Sequence, residues 1–438
     1  MNAASANPAM LPASVPRHSA AALLPTPAPG LYIHVPFCAR VCPYCDFAVQ
    51  TGGPRKRQTY VQTLLGEIRW WGGGESGWRA AEPFDTLYLG GGTPSSLTAD
   101  ALEQILTAVR QALPMAVEVS ITLEANPEEV DDASLAAWRS LGVSRLSLGV
   151  QSFDAAVLET LGRSHTPEQA TEAVERSTAA GFEAVSLDLI FAVPGKARAM
   201  WESSLQRAVE LRPHHISCYE FTVHQGTRFF RARQRGHFAE VADDDKAELF
   251  FFTHRFLADA GYPAYEVSNF ARHPEFRSPH NAKYWSHAPY LGLGPSAHSF
   301  DGMHERWWNE RRLIDWQNAV GEAGSGVSEA ETLTAEQRVL EVLALGLRTT
   351  AGVDLEHIVG RYGVDLMPAN ADLIERLAKR GVIEGGTGAR LVPTLDGMAI
   401  ADTLAGAFEI PTVADEVPAG ASGIDAARRG AVLGRDRP

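Results

Sequence analysis

The sequence predicts an α/β fold: a partial (β/α)6 barrel followed by a small C-terminal helical, winged-helix-like domain. Three observations predict it. Six β-rich runs alternate with amphipathic helical patterns between residues 31 and 261, the order that builds a parallel sheet with right-handed crossovers. From about Thr332 the texture becomes mostly helical. Both ends of the chain are rich in small residues and proline and carry no periodicity at all.

The leader, residues 1–29, has prolines at 8, 12, 16, 25, 27 and 29 and no acidic residue, and it reads as disordered. Its "AAALL" run falls short of the roughly 7–15 apolar residues of a secretory signal. The barrel is expected over 30–262. Its strands are "LYIHV" (31–35), "TLYLG" (86–90), "VSITLE" (119–124), "RLSLGV" (145–150), "AVSLDLIF" (184–191) and "HISCYEF" (215–221). Apolar residues at helical spacing predict helices over 57–71, 99–113, 132–142, 167–181, 200–211 and 242–261. Six βα units are two short of a closed eight-stranded barrel, so the sheet should be open, with a doubly wound sheet as the alternative. Residues 263–325, dense in aromatics, His, Asn and Pro, read as an extension over one barrel end, with "GSGVSEAET" as a linker. Residues 326–410 form the C-terminal domain and 411–438 a disordered tail.

The chain has 438 residues and a formal net charge of -14, which disfavours nonspecific nucleic-acid binding because phosphate rewards basic surface. No apolar run reaches the ~20 residues that span a bilayer. Four cysteines in such a length, three of them clustered, do not make a disulfide framework. Thiols kept for metal or redox work suit the cytoplasm.

In barrels of this type chemistry gathers at the carboxyl ends of the strands. The first strand is followed directly by Cys38, Cys42 and Cys45, spaced CxxxCxxC. A zinc site completed by His34 or Cys218, a redox dithiol at Cys42 and Cys45, and a 4Fe-4S cluster with one open iron are the three readings. Spacing and position favour the cluster. The second strand ends in "GGGTPSSL", which lets a ligand approach the backbone and offers N–H groups to an anion. The third ends at Glu124, the fourth at Gln151, and the fifth holds Asp188 within an apolar run, where an unpaired carboxylate would be costly. Each of these residues has an ordinary structural reading. Five successive strands with polar or thiol groups at one end point to a site.

With these residues in view, the chain resembles the radical S-adenosylmethionine (SAM) superfamily. Within it, the chain is similar to the group that contains oxygen-independent coproporphyrinogen III oxidase and a heme chaperone. CxxxCxxC with Tyr44 before the last cysteine carries the superfamily signal; "GGGTPSSL", "LEANPEE", "RLSLGVQSFD", "LGRSHT" and "DLIFAVPG", in that order, carry the group. The resemblance implies a radical SAM barrel and a 4Fe-4S cluster on the three cysteines, with SAM completing the open iron. It places Tyr32, Gly91 and Glu124 on a first SAM. It places Tyr44, Gly92, Thr93, Gln151, Arg163 and Asp188 on a second.

The two members of the group differ at readable positions. The oxidase pattern has a further cysteine two residues after the third, where this chain has Phe47 in "CPYCDF", and a structured N-terminal extension where this chain has its Pro/Ala-rich leader. The chaperone pattern resembles HNxxYW, and here "HNAKYW" supplies His280, Asn281, Tyr284 and Trp285. An exposed imidazole can ligate heme iron while Tyr and Trp offer flat apolar surface, although a packed lid is the ordinary reading of such residues. His287 and His298 are alternative axial ligands. The resemblance thus implies a protein that binds heme and delivers it to acceptor hemoproteins such as respiratory enzymes. Oxidative decarboxylation of coproporphyrinogen III is the alternative. Peripheral membrane contact and a homodimer are compatible with a carrier.

Overall fold

The computed structural model describes residues 27–74, 79–385 and 389–412. The predicted leader and tail lie almost wholly outside these. All six predicted strands form and pair in parallel in chain order: β1 (Gly30–Val35), β2 (Phe84–Gly91), β3 (Met115–Ala125), β4 (Arg145–Gln151), β5 (Ala184–Phe191) and β6 (His215–Glu220). The crossovers are α1 (Pro54–Gly72), α2 (Ala99–Ala112), α3 (Asp132–Ser140), α4 (Ala155–Leu161), α5 (Pro167–Ala179) and α6 (Arg198–Glu210); α7 (Arg228–Gln234) and α8 (Asp243–Asp259) follow β6. Local chemistry starts several of these helices where the sequence suggests. Thr98, Asp131 and Asp154 cap α2, α3 and α4, and Thr166 with Gln169 forms a capping box on α5.

Strand alternation divides the barrel into two environments. Leu31, Ile33, Leu87, Leu89, Leu123, Leu146, Leu148, Val185, Leu187 and Ile216 join the apolar core that also holds Leu64, Ile105, Val174 and Leu205 of the helices. The intervening positions of β2 to β6, among them Tyr88, Glu124, Ser147, Asp188 and Tyr219, border an interior space. Side chains of period 2 therefore give one strand a dry face and a polar face.

The sheet is larger than the six predicted units. Residues 263–332 add β7 (Asn269–Ala271), antiparallel to β6, and α9 (Pro279–Trp285). They then add β8 (Tyr290–Leu293), parallel to β1, and β9 (His298–Phe300), β10 (Glu305–Asn309), α10 (Leu313–Ala323) and β11 (Val327–Thr332). The result is one open eleven-stranded sheet, ordered β11-β10-β9-β8-β1-β2-β3-β4-β5-β6-β7. Strands of three to six residues give too few alternations to register as a period. The expected linker at 324–332 is thus corrected: most of it is β11, paired antiparallel to β10.

One buried acid ties the added strands to the barrel. Glu67 of α1, fully buried, accepts from Gly294 N (2.8 Å), Asn309 Nδ2 (2.9 Å), Trp316 Nε1 (3.1 Å) and Gly326 N (3.2 Å). Four donors from four successive parts of the extension satisfy a carboxylate that would otherwise be expensive to bury.

The C-terminal domain has its own core, centred on Val339, Leu343, Ile358, Leu377 and Leu404. It comprises α11 (Ala335–Gly346), β12 (Val353–Asp354), α12 (Leu355–Tyr362), α13 (Met367–Lys379), β13 (Arg390–Leu391), α14 (Leu395–Ala399) and α15 (Ala401–Ala405), with β12 and β13 paired. It meets the barrel sheet through His287, which lies 2.9 Å from the Tyr362 hydroxyl and 3.2 Å from Glu341 Oε2.

Candidate functional site

A cavity of about 450 Å³ opens at the carboxyl ends of the parallel strands. It brings together Cys38, Cys42, Tyr44 and Cys45 from the loop after β1, Gly91, Gly92 and Thr93 after β2, and Glu124 of β3. Gln151 of β4, Arg163 after α4 and Asp188 of β5 complete that set. Of the residues placed on cluster and SAM by resemblance, Tyr32 alone does not line it. Its ring stacks on Tyr88 at 6.2 Å, and its hydroxyl lies 3.1 Å from His34 Nδ1.

The glycine turn has a different use from the one its N–H groups suggested. Gly91 N donates to Glu124 Oε2 (3.0 Å), Gly92 N to Val35 O (2.8 Å) and Thr93 N to Phe37 O (2.7 Å), so these donors are spent within the chain. Gly91 has φ of 106°, and a Cβ on Gly92 would meet Phe37 O at 2.7 Å. The glycines therefore let the β2 end lie directly against the root of the cysteine loop. Gln151 has φ of 65°, a left-handed conformation for a non-glycine residue, beside a register shift between Leu148 and Gln151.

Two part-buried acids stand in the cavity wall. Glu124 accepts from the Tyr88 hydroxyl (2.9 Å) as well as from Gly91 N. Burial first, and the neighbouring Asp188 second, push its carboxyl up to about 7. Asp188 accepts from Ser147 Oγ (3.0 Å), and burial pushes it up to about 6 against the pull of hydrogen bonds from Ser217 and Ser147. Neither has a cationic partner at hydrogen-bond distance among the described contacts, so a positively charged ligand would find two carboxyls ready to ionise beside it.

A polar chain links these walls to the cysteines. Asn126 Nδ2 donates to Thr93 Oγ1 (3.1 Å), and Arg163 Nη2 donates to Asn126 Oδ1 (2.5 Å) and Gly149 O (2.8 Å). Arg163 Nη1 reaches Cys42 Sγ at 3.8 Å. Burial pushes the Cys38 and Cys45 thiols up, Cys45 to about 11. Among the described residues no three His, Cys, Asp or Glu side chains converge on one metal-ion position. A polynuclear iron–sulfur cluster suits the thiol triad better, because it spreads its thiolates over separate irons. Cys218 does not join the three: it is buried in the apolar core.

Sequence reasoning missed Tyr88, Asn126, Tyr219 and His224, which also line the cavity. The inward parity of Tyr88 with Thr86 was readable from strand alternation. The place of His224 in an irregular loop after β6 was not.

The HNxxYW segment lies elsewhere. It forms α9 at the amino ends of the strands, the opposite barrel end. Arg145, the first residue of β4, donates to Glu275 O (3.4 Å), Phe276 O (2.6 Å) and Arg277 O (2.8 Å) and holds the approach to α9 in place. The expectation of an exposed His280 is corrected: it is 2% exposed, 3.0 Å from Thr86 Oγ1 through Nδ1 and 3.0 Å from the Tyr284 hydroxyl through Nε2, and stacked on Tyr88 at 5.1 Å. Burial, then the Lys283 charge, lowers its imidazole to about 3. Asn281 borders a small internal space with Arg145, Ser186 and His215. Lys283 Nζ donates to Ala28 O (2.7 Å) and Asp85 Oδ2 (2.8 Å). Trp285 is half-buried with its indole N–H unpaired among the described residues. Of the alternative histidines, His287 is buried at the domain contact and His298 is exposed, stacked on Trp308 at 5.8 Å.

Fold and cavity together define a radical SAM protein with a HemN-type C-terminal domain. Residues 32–208 match the Radical SAM superfamily and residues 333–400 the HemN C-terminal domain. The structure of coproporphyrinogen III oxidase (HemN) from Escherichia coli, a radical SAM enzyme, matches with a TM-score of 0.74 and 23% identity, over 86% of this chain and 89% of that one. Proteins named heme chaperone HemW match more closely in sequence. That of Lactococcus lactis is 35% identical, over 76% of this chain and 84% of its own length, and that of Bacillus subtilis 31%, over 86% and 98%. This chain belongs to the HemW family. A mitochondrial radical SAM domain-containing protein 1 of Mus musculus is 34% identical over 75% of each chain. Membership of the superfamily implies a 4Fe-4S cluster and SAM. No helix among the described residues is long and apolar enough to cross a membrane.

Proposed function

We propose that this protein is a heme carrier: it binds heme beside a SAM-coordinated 4Fe-4S cluster and passes the heme to acceptor hemoproteins in the cytoplasm or at a membrane surface. The observation that carries this reading is the lining of one cavity. Three cysteines share it with two part-buried acids that have no cation at hydrogen-bond distance among the described residues, while Phe47, 62% exposed, stands where the oxidase pattern has another cysteine. In this reading Cys38, Cys42 and Cys45 hold the cluster, and because burial makes the Cys38 and Cys45 thiols resist ionisation, cluster binding itself displaces their protons. The Gly91–Thr93 turn gives close approach, Glu124 balances the positive charge of the SAM on the cluster, and Asp188, with Tyr44, Gln151 and Arg163, faces a second SAM. When bound, the cluster and SAM supply radical chemistry or a redox-dependent control of heme release.

The test is an anaerobic heme titration of the cluster-reconstituted protein, followed by coproporphyrinogen III, SAM and a reductant on the same sample. Saturable heme binding without decarboxylated porphyrinogen is expected. Appearance of the decarboxylated product would replace the carrier with the oxidase.

A further inference from the structure

If the protein carries heme, the iron needs a ligand that incoming heme can reach and an acceptor can take it from. Four of the buried histidines do not meet this requirement. His34, His215, His280 and His287 have both ring nitrogens within hydrogen-bond distance of partners inside the fold. His298, though exposed, stacks on Trp308 and lines none of the described cavities.

The rim of the strand-end cavity meets it. His224 lines this cavity, its side chain 49% exposed, with Nδ1 3.5 Å from Asp46 Oδ2. A carboxylate on that side favours the proton on Nδ1 and leaves the Nε2 lone pair for a metal, the second-shell arrangement that orients ligating histidines. The backbone beneath the ring is pinned. His224 O accepts from Thr227 N (3.3 Å) and Thr227 Oγ1 (2.7 Å) across a turn in which Gly226 has φ of 86°.

The same rim carries apolar surface that nothing among the described residues covers. Phe47 is 62% exposed and Tyr219 41% exposed, both lining the cavity beside the buried Phe221. Exposed aromatic faces next to an imidazole suit a flat, apolar macrocycle with a metal at its centre. The exposed Arg228, four residues after His224, and Arg311, which donates to Asp46 O at 2.8 Å, put cations near the rim for the propionates.

We propose that His224, oriented by Asp46, is the axial ligand of the carried heme, seated over Phe47 and Tyr219 at the mouth of the cysteine-lined cavity. This rests on the heme-carrier reading. An open ligand at a rim suits a cargo that must leave, and it puts the heme next to the proposed cluster and SAM, where their state can influence release. The HNxxYW helix then supports the opposite barrel end instead of touching iron.

The experiment is a ferric heme titration of the full chain, wild type against His224→Ala, Phe47→Asp and His280→Ala, read by the Soret band and by the electron paramagnetic resonance of the bound heme. Thermal unfolding of each variant is followed in parallel. We expect His224→Ala to unfold like wild type, to bind at least tenfold more weakly, and to lose the histidine signature, with free imidazole restoring it. Phe47→Asp should weaken binding and keep the signature. If wild type binds heme and His224→Ala binds with unchanged affinity and spectrum, the ligand assignment falls alone. A folded His280→Ala variant that has lost the signature would also overturn it. Absence of heme binding by wild type would remove the carrier reading itself.

Discussion

The two ends of the barrel use the same residue types to opposite effect. At the amino ends of the strands, His280, Tyr284, Arg145 and Lys283 have their polar atoms paired with partners inside the protein. At the carboxyl ends, Glu124 and Asp188 are part-buried near each other without a cation at hydrogen-bond distance among the described residues, and Phe47 and His224 face outward. Apart from the Trp285 indole N–H, the first end has the chemistry of a finished interior. The second is incomplete by itself, and groups in need of a partner mark where a ligand belongs. Histidine and aromatic content alone does not separate the two; the state of the hydrogen bonds does.

Mutations at the two ends should therefore fail in different ways. The largest effect is expected for Cys42→Ser: iron bound after reconstitution should fall to near zero, with the thermal midpoint of the metal-free protein little changed. Iron retention would break the assignment of the carboxyl end. At the other end, His280→Ala removes a buried ring with bonds to Thr86 and Tyr284 and should destabilise the protein by about 3 kcal/mol in denaturant titration. A cost below about 1 kcal/mol would make the amino end as unfinished as the other.

The acids allow a pH test. Because the folded-state carboxyls of Glu124 and Asp188 lie above their ordinary values, at about 7 and about 6, the ligand-free fold binds extra protons between about pH 4 and 7. Their contribution to stability is thus present at acid pH and lost as pH rises through 6 to 7, by on the order of 3 kcal/mol. SAM affinity should move the opposite way, rising over the same window as the carboxylates form. Glu124→Gln should flatten both profiles, stabilise the ligand-free protein by about 1 kcal/mol at pH 8, and weaken SAM about tenfold. An unchanged SAM affinity would separate Glu124 from the ligand. The smallest effect is expected for Lys283→Met, whose ion pair with the part-exposed Asp85 should contribute about 1 kcal/mol or less, measured by thermal unfolding.

Much of the catalytic-looking end was legible in the chain. CxxxCxxC, the glycine turn, Glu124 and Gln151 sit at the ends of strands whose alternation is visible, Asp188 lies within such a strand, and parallel strands in chain order bring successive ends together. The use of the glycine N–H groups was not legible, because it depends on how closely the β2 end lies against the loop from Cys38. Nor was the state of His280: in sequence, "HNAKYW" looks the same whether its imidazole faces water or Tyr88.

The sequence by itself determined the parallel βα core, the separate C-terminal domain and the set of groups at the strand ends, because these follow from short-range periodicity and from residues adjacent to predicted strands. Only the tertiary structure decided that residues 263–332 extend the sheet, that Glu67 ties that extension to α1, and that α9 closes the barrel end away from the cysteines. These outcomes depend on contacts between segments up to about 260 residues apart, such as Gly326 with Glu67, and burial and hydrogen-bond completion at such contacts leave no local period to read.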